Sequence, residues 1–309
     1  MNNPHDIHIA AGRLRAYLPM TPLVPLPELG AQVYAKLEHT QPTRSFKIRG
    51  ALNALLELEA EQRQRGVIAA SSGNHAQALS WAARALGISA VVMMPETTPA
   101  TKVERSRQWG AEVRVLGANY DETEALARAA AQQEGRVYVS PYNDPHVVAG
   151  QGTMGLEICE QLPTVARVVV CAGGGGLVSG VGLALKDANP QVEVIAVCAQ
   201  SAPALYNHLR GTAHPEVWET LAEALSGDIE TGSITLEIAP RVVDEVVMVS
   251  EAQIAAAMRH LYQTHGWIVE GGGAVSAAAW MHGLIPADER PTVLIVSGGN
   301  VSEDKLKAL

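Results

Sequence analysis

Short apolar runs rich in β-branched residues alternate with longer amphipathic stretches along nearly the whole chain. The runs are VIAAS (67–71), AVVMMP (90–95), AEVRVLG (111–117), RVYVSP (136–141), RVVVCAG (167–173), VEVIAVCA (192–199), EVVMVS (245–250) and TVLIVSGG (292–299). Continuous apolar runs of this kind read as strands buried on both faces. Between them, positions 48–65, 75–86, 100–109, 120–134, 150–161, 177–188, 251–264 and 273–282 carry helical periodicity. This alternation predicts an α/β fold of parallel-rich sheets flanked by helices. The segment VYAKLEH (33–39) reads as the first strand, preceded by a proline-rich extended arm, TPLVPLPELG (21–30). Positions 205–240 show neither period and read as a long loop over a site. There is no internal repeat and no low-complexity segment.

Composition narrows the function classes. The chain has 309 residues, 47% of them apolar, with 23 basic and 32 acidic side chains, a net charge of −9. That length supports one large domain or two lobes. The acidic balance argues against nucleic acid, which demands clustered Lys and Arg. No apolar stretch approaches the roughly 18 residues of a membrane span, and the N-terminus has no secretory pattern. A cytoplasmic protein is therefore expected. Cys159, Cys171 and Cys198 follow no metal-ligand spacing and read as small buried apolar residues.

Four turns and one lysine carry candidate chemistry. Lys47, in SFKIRGA (45–51), follows a polar turn and opens a helix, where backbone dipoles depress an ammonium pKa and suit a nucleophilic amine. A solvated helix-start lysine would look the same. Ser71-Ser72-Gly73-Asn74-His75 lies between a strand and a helix, so its N–H groups can take a carboxylate or phosphate; an ordinary cap is the alternative. Gly173-Gly174-Gly175-Gly176-Leu177 occupies the same kind of place. It fits neither the dinucleotide fingerprint nor a Walker A loop, which leaves a single phosphate monoester as the best match. Ser297-Gly298-Gly299-Asn300 ends the last strand, where Ser297 can offer a hydroxyl to a ligand beyond the sheet's carboxyl edge.

Together, SFKIRGA, SSGNHAQA, AGQGT (149–153), GGGGL and SGGNV (297–301) resemble, in order and spacing, the fold type II pyridoxal-phosphate enzymes, specifically the serine/threonine dehydratase and serine racemase group. The resemblance runs from about Thr21 to Val301. It implies pyridoxal 5′-phosphate as cofactor, bonded to Lys47, with Phe46 against its ring. Gly173, Gly174, Gly175, Gly176 and Leu177 would hold its phosphate, Asn74 its ring hydroxyl and Ser297 its ring nitrogen. Ser71, Ser72, Asn74 and His75 would line the substrate site, Ser72 opposite Lys47 across the substrate Cα. It also implies a large lobe (1–47 plus 145–309), a small lid (48–144) and a homodimer. The implied reaction is dehydration and deamination of L-threonine or L-serine to a 2-oxo acid and ammonia. Amino-acid racemisation is the alternative.

Three departures fall on the substrate side. Cys198-Ala199-Gln200 stands where relatives often carry an acidic cation ligand, so no metal site is expected; Ala224 replaces a common glycine, and Glu270-Gly271-Gly272-Gly273 replaces a Glu-Pro pattern. They leave room for another hydroxy amino acid, such as 3-hydroxyaspartate or a hydroxyectoine-derived hydroxy-diaminobutyrate.

Overall fold

The computed structural model describes residues 3–309. Helix α1 (Pro4–Leu14) precedes strands β1 (Leu23–Pro25) and β2 (Val33–Leu37). Then follow α2 (Lys47–Leu56), α3 (Ala60–Arg65), β3 (Val67–Ala70), α4 (Asn74–Leu86), β4 (Ala90–Met94), α5 (Ala100–Gln108), β5 (Glu112–Val115), α6 (Tyr120–Glu134) and β6 (Val137–Tyr138). The remainder comprises α7 (Pro145–Gln161), β7 (Arg167–Cys171), α8 (Gly176–Ala188), β8 (Glu193–Ala199), α9 (Ala204–Arg210), α10 (Ile234–Val242), β9 (Glu245–Val249), α11 (Glu251–His265), α12 (Gly271–Met281), β10 (Thr292–Val296) and α13 (Glu303–Lys307).

The strands form two sheets. One has the order β5-β4-β3-β6 and is wholly parallel. The other has the order β1-β2-β10-β7-β8-β9 and is parallel except at its β1 edge. Helices cover the sheets and bury β3, β4, β7 and β10 completely, which is why those runs lack a polar alternation. The α/β reading of the pattern holds. No helix among the described residues is long and apolar enough to cross a membrane.

Several local expectations need correction. The stretch 48–65 is two helices, because Glu59 and Gln62 form a capping box that starts α3 afresh. Helix α7 begins well before position 150: Asp144 accepts from the N–H groups of His146 and Val147, with Pro145 in the first turn. Part of the proline-rich arm becomes the edge strand β1, where Pro25 is tolerated. Positions 205–240 are not one loop, since they hold α9, a 3₁₀ turn at Glu223–Leu225 and α10. Cys171 and Cys198 are buried, whereas Cys159 is only half-buried. Helix α1 was not anticipated, although Asn3 and Asp6 form a capping box around Pro4.

The AGQGT segment lies inside α7 and is a packing device. A Cβ at Gly150 would stand 2.6 Å from the Arg49 carbonyl, and one at Gly180 2.3 Å from the Val148 carbonyl. Small residues there let α2, α7 and α8 lie backbone to backbone.

Beneath that contact sits a buried charge network. The Arg49 guanidinium donates to both Glu38 oxygens at 2.8 Å and to Glu157 Oε1 at 2.6 Å. Lys36 Nζ donates to Glu157 Oε2 at 2.6 Å and to the Thr21 carbonyl at 2.8 Å. Lys36, Glu38 and Arg49 are all at most 1% exposed. Arg49 and Lys36 hold the Glu38 carboxyl below its usual range, against the opposing effect of burial. Removing one member of such a network strands its partner's charge, at a cost of about 3–5 kcal/mol. Arg49→Leu should therefore lower the melting temperature by roughly 10 °C; a scanning-calorimetry shift near zero would show that the network contributes no net stability.

Candidate active site

The turn ahead of α2 and the turn after β10 are stitched together. Ser45 and Gly298 form an antiparallel bridge, the Phe46 N–H donates to the Ser297 carbonyl at 3.0 Å, and the Gly299 N–H donates to the Arg44 carbonyl at 2.8 Å. Arg44 adopts φ +57°, the only described non-glycine residue with positive φ. This stitching sets Lys47 at the start of α2, half-buried, with Nζ 5.2 Å from the centre of the Phe46 ring. Its amine donates to the Pro141 carbonyl at 2.8 Å. Burial brings the Lys47 ammonium down to about 8, so near neutral pH a usable fraction is free amine.

The remaining turns converge on the same place. Asn74, at the first turn of α4, contacts Asn300 and Glu270. Cys171, at the end of β7, donates through Sγ to Ser297 Oγ at 3.3 Å, which ties the strand before the glycine turn to the strand before SGGN. Burial pushes the Cys171 thiol up to about 11, so it stays a neutral donor. His75 is buried, and its Nε2 lies 2.9 Å from the Val139 carbonyl. A carbonyl only accepts, so Nε2 carries the hydrogen. Burial and the Lys47 charge take the ring down to about 3. His75 is thus neutral, and what it can offer a carboxylate is its main-chain N–H. Ser71 and Ser72 lie half-buried on the turn between β3 and α4, where Ser71 Oγ accepts from the Gly73 N–H at 3.2 Å.

The glycine turn is shaped by what backs it. A Cβ on Gly174 would fall 2.7 Å from the Tyr142 ring, and one on Gly173 2.6 Å from the Leu225 carbonyl. Gly175 has φ +83°, which favours glycine, and Thr235 Oγ1 donates to the Gly174 carbonyl at 2.8 Å. The turn therefore closes tightly over the start of α8, whose first N–H groups have no intrahelical acceptors. Such a helix start is an anion site.

Sequence reasoning named Lys47, Ser71, Ser72, Asn74, His75, Ser297 and the glycines, and the fold brings their turns to one cleft. It missed the Pro141 carbonyl and Tyr142, for which nothing in SPYNDP is distinctive, and the pairing of Cys171 with Ser297. Ala224 lies beside Gly272, 3.4 Å from where a Cβ there would stand. No group of three or more His, Cys, Asp or Glu side chains among the described residues is placed to hold a metal ion.

Comparison with known proteins decides the family. The model for "Pyridoxal-phosphate dependent enzyme" matches residues 15–298. The chain belongs to this family of pyridoxal-phosphate-dependent enzymes. It is 44% identical to the L-threonine ammonia-lyase of Thermotoga maritima over 274 residues, 88% of this chain and 68% of that protein. It is 38% identical to the catabolic L-threonine dehydratase of Staphylococcus aureus over 306 residues, 96% of this chain and 88% of that protein. Among solved structures, maize serine racemase superposes with a TM-score of 0.92 at 32% identity, covering 99% of this chain and 96% of that one. The cofactor is accordingly pyridoxal phosphate, and the cleft fits it. The glycine turn at a helix start suits a phosphate, the depressed Lys47 amine suits an aldehyde, and a side chain at Gly174 would collide with Tyr142.

Two outcomes test this geometry. Gly174→Ala forces the Tyr142 ring or the turn to move, so cofactor affinity, titrated by absorbance, should weaken about tenfold or more; unchanged affinity would remove the turn from the phosphate site. The second concerns pH. The unfolded chain keeps the lysine proton up to its ordinary 10.5, whereas the folded cofactor-free protein releases it at about 8. In that window the unfolded state binds more protons, so stability rises with pH. Cofactor-free protein should gain stability relative to Lys47→Met between those values in urea unfolding; parallel curves would contradict the shift.

Proposed function

We propose that this protein is a pyridoxal-phosphate-dependent ammonia-lyase that converts L-threonine, and L-serine, to the 2-oxo acid and ammonia. The observation that carries the reading is Lys47, a half-buried lysine whose amine has a depressed pKa, in a cleft walled by the glycine turn, Asn74 and Ser297. The relatives named L-threonine ammonia-lyase and L-threonine dehydratase support the same reaction and substrate.

When bound, pyridoxal phosphate supplies a carbonyl that condenses with amines and a ring that accepts the electron pair left at the substrate Cα. The N–H groups of Gly173 to Gly176 and Leu177 hold the phosphate against the α8 dipole. Phe46 packs on the ring face, and Asn74 donates toward the ring oxygen. Ser297 faces the ring nitrogen as a neutral hydroxyl, which a carboxylate would not be. A neutral hydroxyl at that place would not hold a ring nitrogen protonated, which would favour prompt loss of the β-hydroxyl. Ser71, Asn74 and His75 orient the substrate carboxylate at the start of α4. The Lys47 amine is the base that would take the Cα proton. Loss of that proton with the β-hydroxyl, then addition of water, yields 2-oxobutyrate and ammonia from threonine. Ser72, on the opposite side of Cα, could return a proton there, and the likeness to maize serine racemase makes racemisation the second reading.

The four-stranded sheet belongs to a lid spanning 48–144 that closes over a larger lobe, 1–47 plus 145–309. Ion pairs between Lys102 and Glu223 (2.7 Å) and between Arg128 and Glu230 (2.9 Å) join the two. The protein works in the cytoplasm, where its three free cysteines stay reduced. It assembles as a homodimer; Trp218, 63% exposed, and Val217, 48% exposed, offer apolar surface to a second copy.

Purified protein loaded with the cofactor should release 2-oxobutyrate from L-threonine, and Lys47→Ala should lose at least about a thousandfold in rate. D-serine appearing from L-serine ahead of pyruvate would favour the racemase reading. No turnover of either amino acid by loaded protein would overturn both.

A further inference from the structure

The amide of Asn74 has no freedom of orientation, and the reason runs outward through two residues. Asn300 Nδ2 lies 2.9 Å from the Thr43 carbonyl and 2.7 Å from the Asn74 amide. A backbone carbonyl only accepts, so the Asn300 atom facing it must be the NH₂ group. The Asn74 atom facing that NH₂ must then be its carbonyl oxygen. Its own NH₂ is thereby turned to Glu270, whose Oε1 accepts at 2.5 Å. One Asn74 N–H remains unspent.

Glu270 is placed for this and for little else. It is the N-cap residue of α12, yet its side chain makes no cap hydrogen bond. Among the described residues it makes no ion pair, and its Oε1 takes the Asn74 N–H. Its Oε1 stands only 2.2 Å from where a Cβ at Gly298 would be, so a glycine there makes room for the carboxyl. A direction of hydrogen bonding therefore starts at the Thr43 carbonyl, passes through Asn300 and Asn74, and ends on Glu270.

We propose that Glu270 and Asn300 are positioning residues that lock Asn74 as a hydrogen-bond donor toward the ring oxygen of the cofactor. This rests on the ring contact assigned to Asn74 in the proposed function. A donor at that point favours the ionised ring oxygen. A rotated amide would present its own oxygen and repel it. The lock thus holds the protonation state of the bound cofactor, which its visible absorption reports independently of turnover.

The test compares Glu270→Leu, Glu270→Gln, Asn300→Ala and Asn74→Ala in protein loaded with pyridoxal phosphate, folding being checked by circular dichroism. Measured for each are the visible absorption maximum against pH and the dissociation constant of the cofactor. Glu270→Leu and Asn300→Ala should move the absorption and weaken binding about tenfold. Glu270→Gln retains an acceptor oxygen and should stay within about twofold of the parent. Asn300→Ala carries the test alone if Glu270→Leu does not fold. An altered Asn74→Ala spectrum with unaltered Glu270→Leu and Asn300→Ala spectra would overturn the lock and leave the ring contact standing. An unaltered Asn74→Ala spectrum would overturn the ring contact and the lock with it. A Glu270→Gln variant as impaired as Glu270→Leu would show that charge matters and acceptor geometry does not, which also overturns the lock.

Discussion

Everything at the cleft depends on two carboxylates and two cations of which only Glu157 keeps partial contact with water. Lys36 comes from β2, Glu38 from the turn after it, Arg49 from α2 and Glu157 from α7. Each charge alone would be far too costly to bury, and the four together are tolerable only in one relative placement of those elements. That placement puts the first turn of α2 against the end of β10, and so decides where the Lys47 amine stands. The glycines of α7 and α8 serve the same end by letting helix backbones approach without intervening side chains. The result is a rigid floor under a reactive group.

The cleft is almost free of formal charge beyond Lys47. His75 is neutral, Cys171 is a buried thiol, and Ser297 is a hydroxyl, while burial raises the Glu270 carboxyl. A site of this kind binds anions through N–H groups at helix starts and leaves lysine as the one strong base. That combination suits removal of a Cα proton followed by prompt loss of a β-substituent.

Much of this was legible in the sequence because strand-end turns advertise themselves. SFKIRGA, SSGNHAQA, GGGGL and SGGNV each break a strongly periodic pattern, and the α/β class follows from the spacing of the apolar runs. What stayed hidden had no local signature. The buried network pairs residues such as Arg49 and Glu157, 108 positions apart in sequence. Tyr142 matters only because the fold sets its ring against Gly174. Positions 205–240 read as a loop because α9 and α10 are short and the second holds Pro240. AGQGT entered only as part of the family resemblance; what its glycines do, close helix-to-helix contact inside α7, shows only in the fold.

The central claim is that one amine, Lys47, meets the cofactor. Borohydride reduction of the loaded protein, followed by proteolysis and mass spectrometry, tests it most directly. The account predicts a single peptide bearing the reduced pyridoxyl group at Lys47. Label on another lysine, or none on a protein that holds its cofactor, would contradict it.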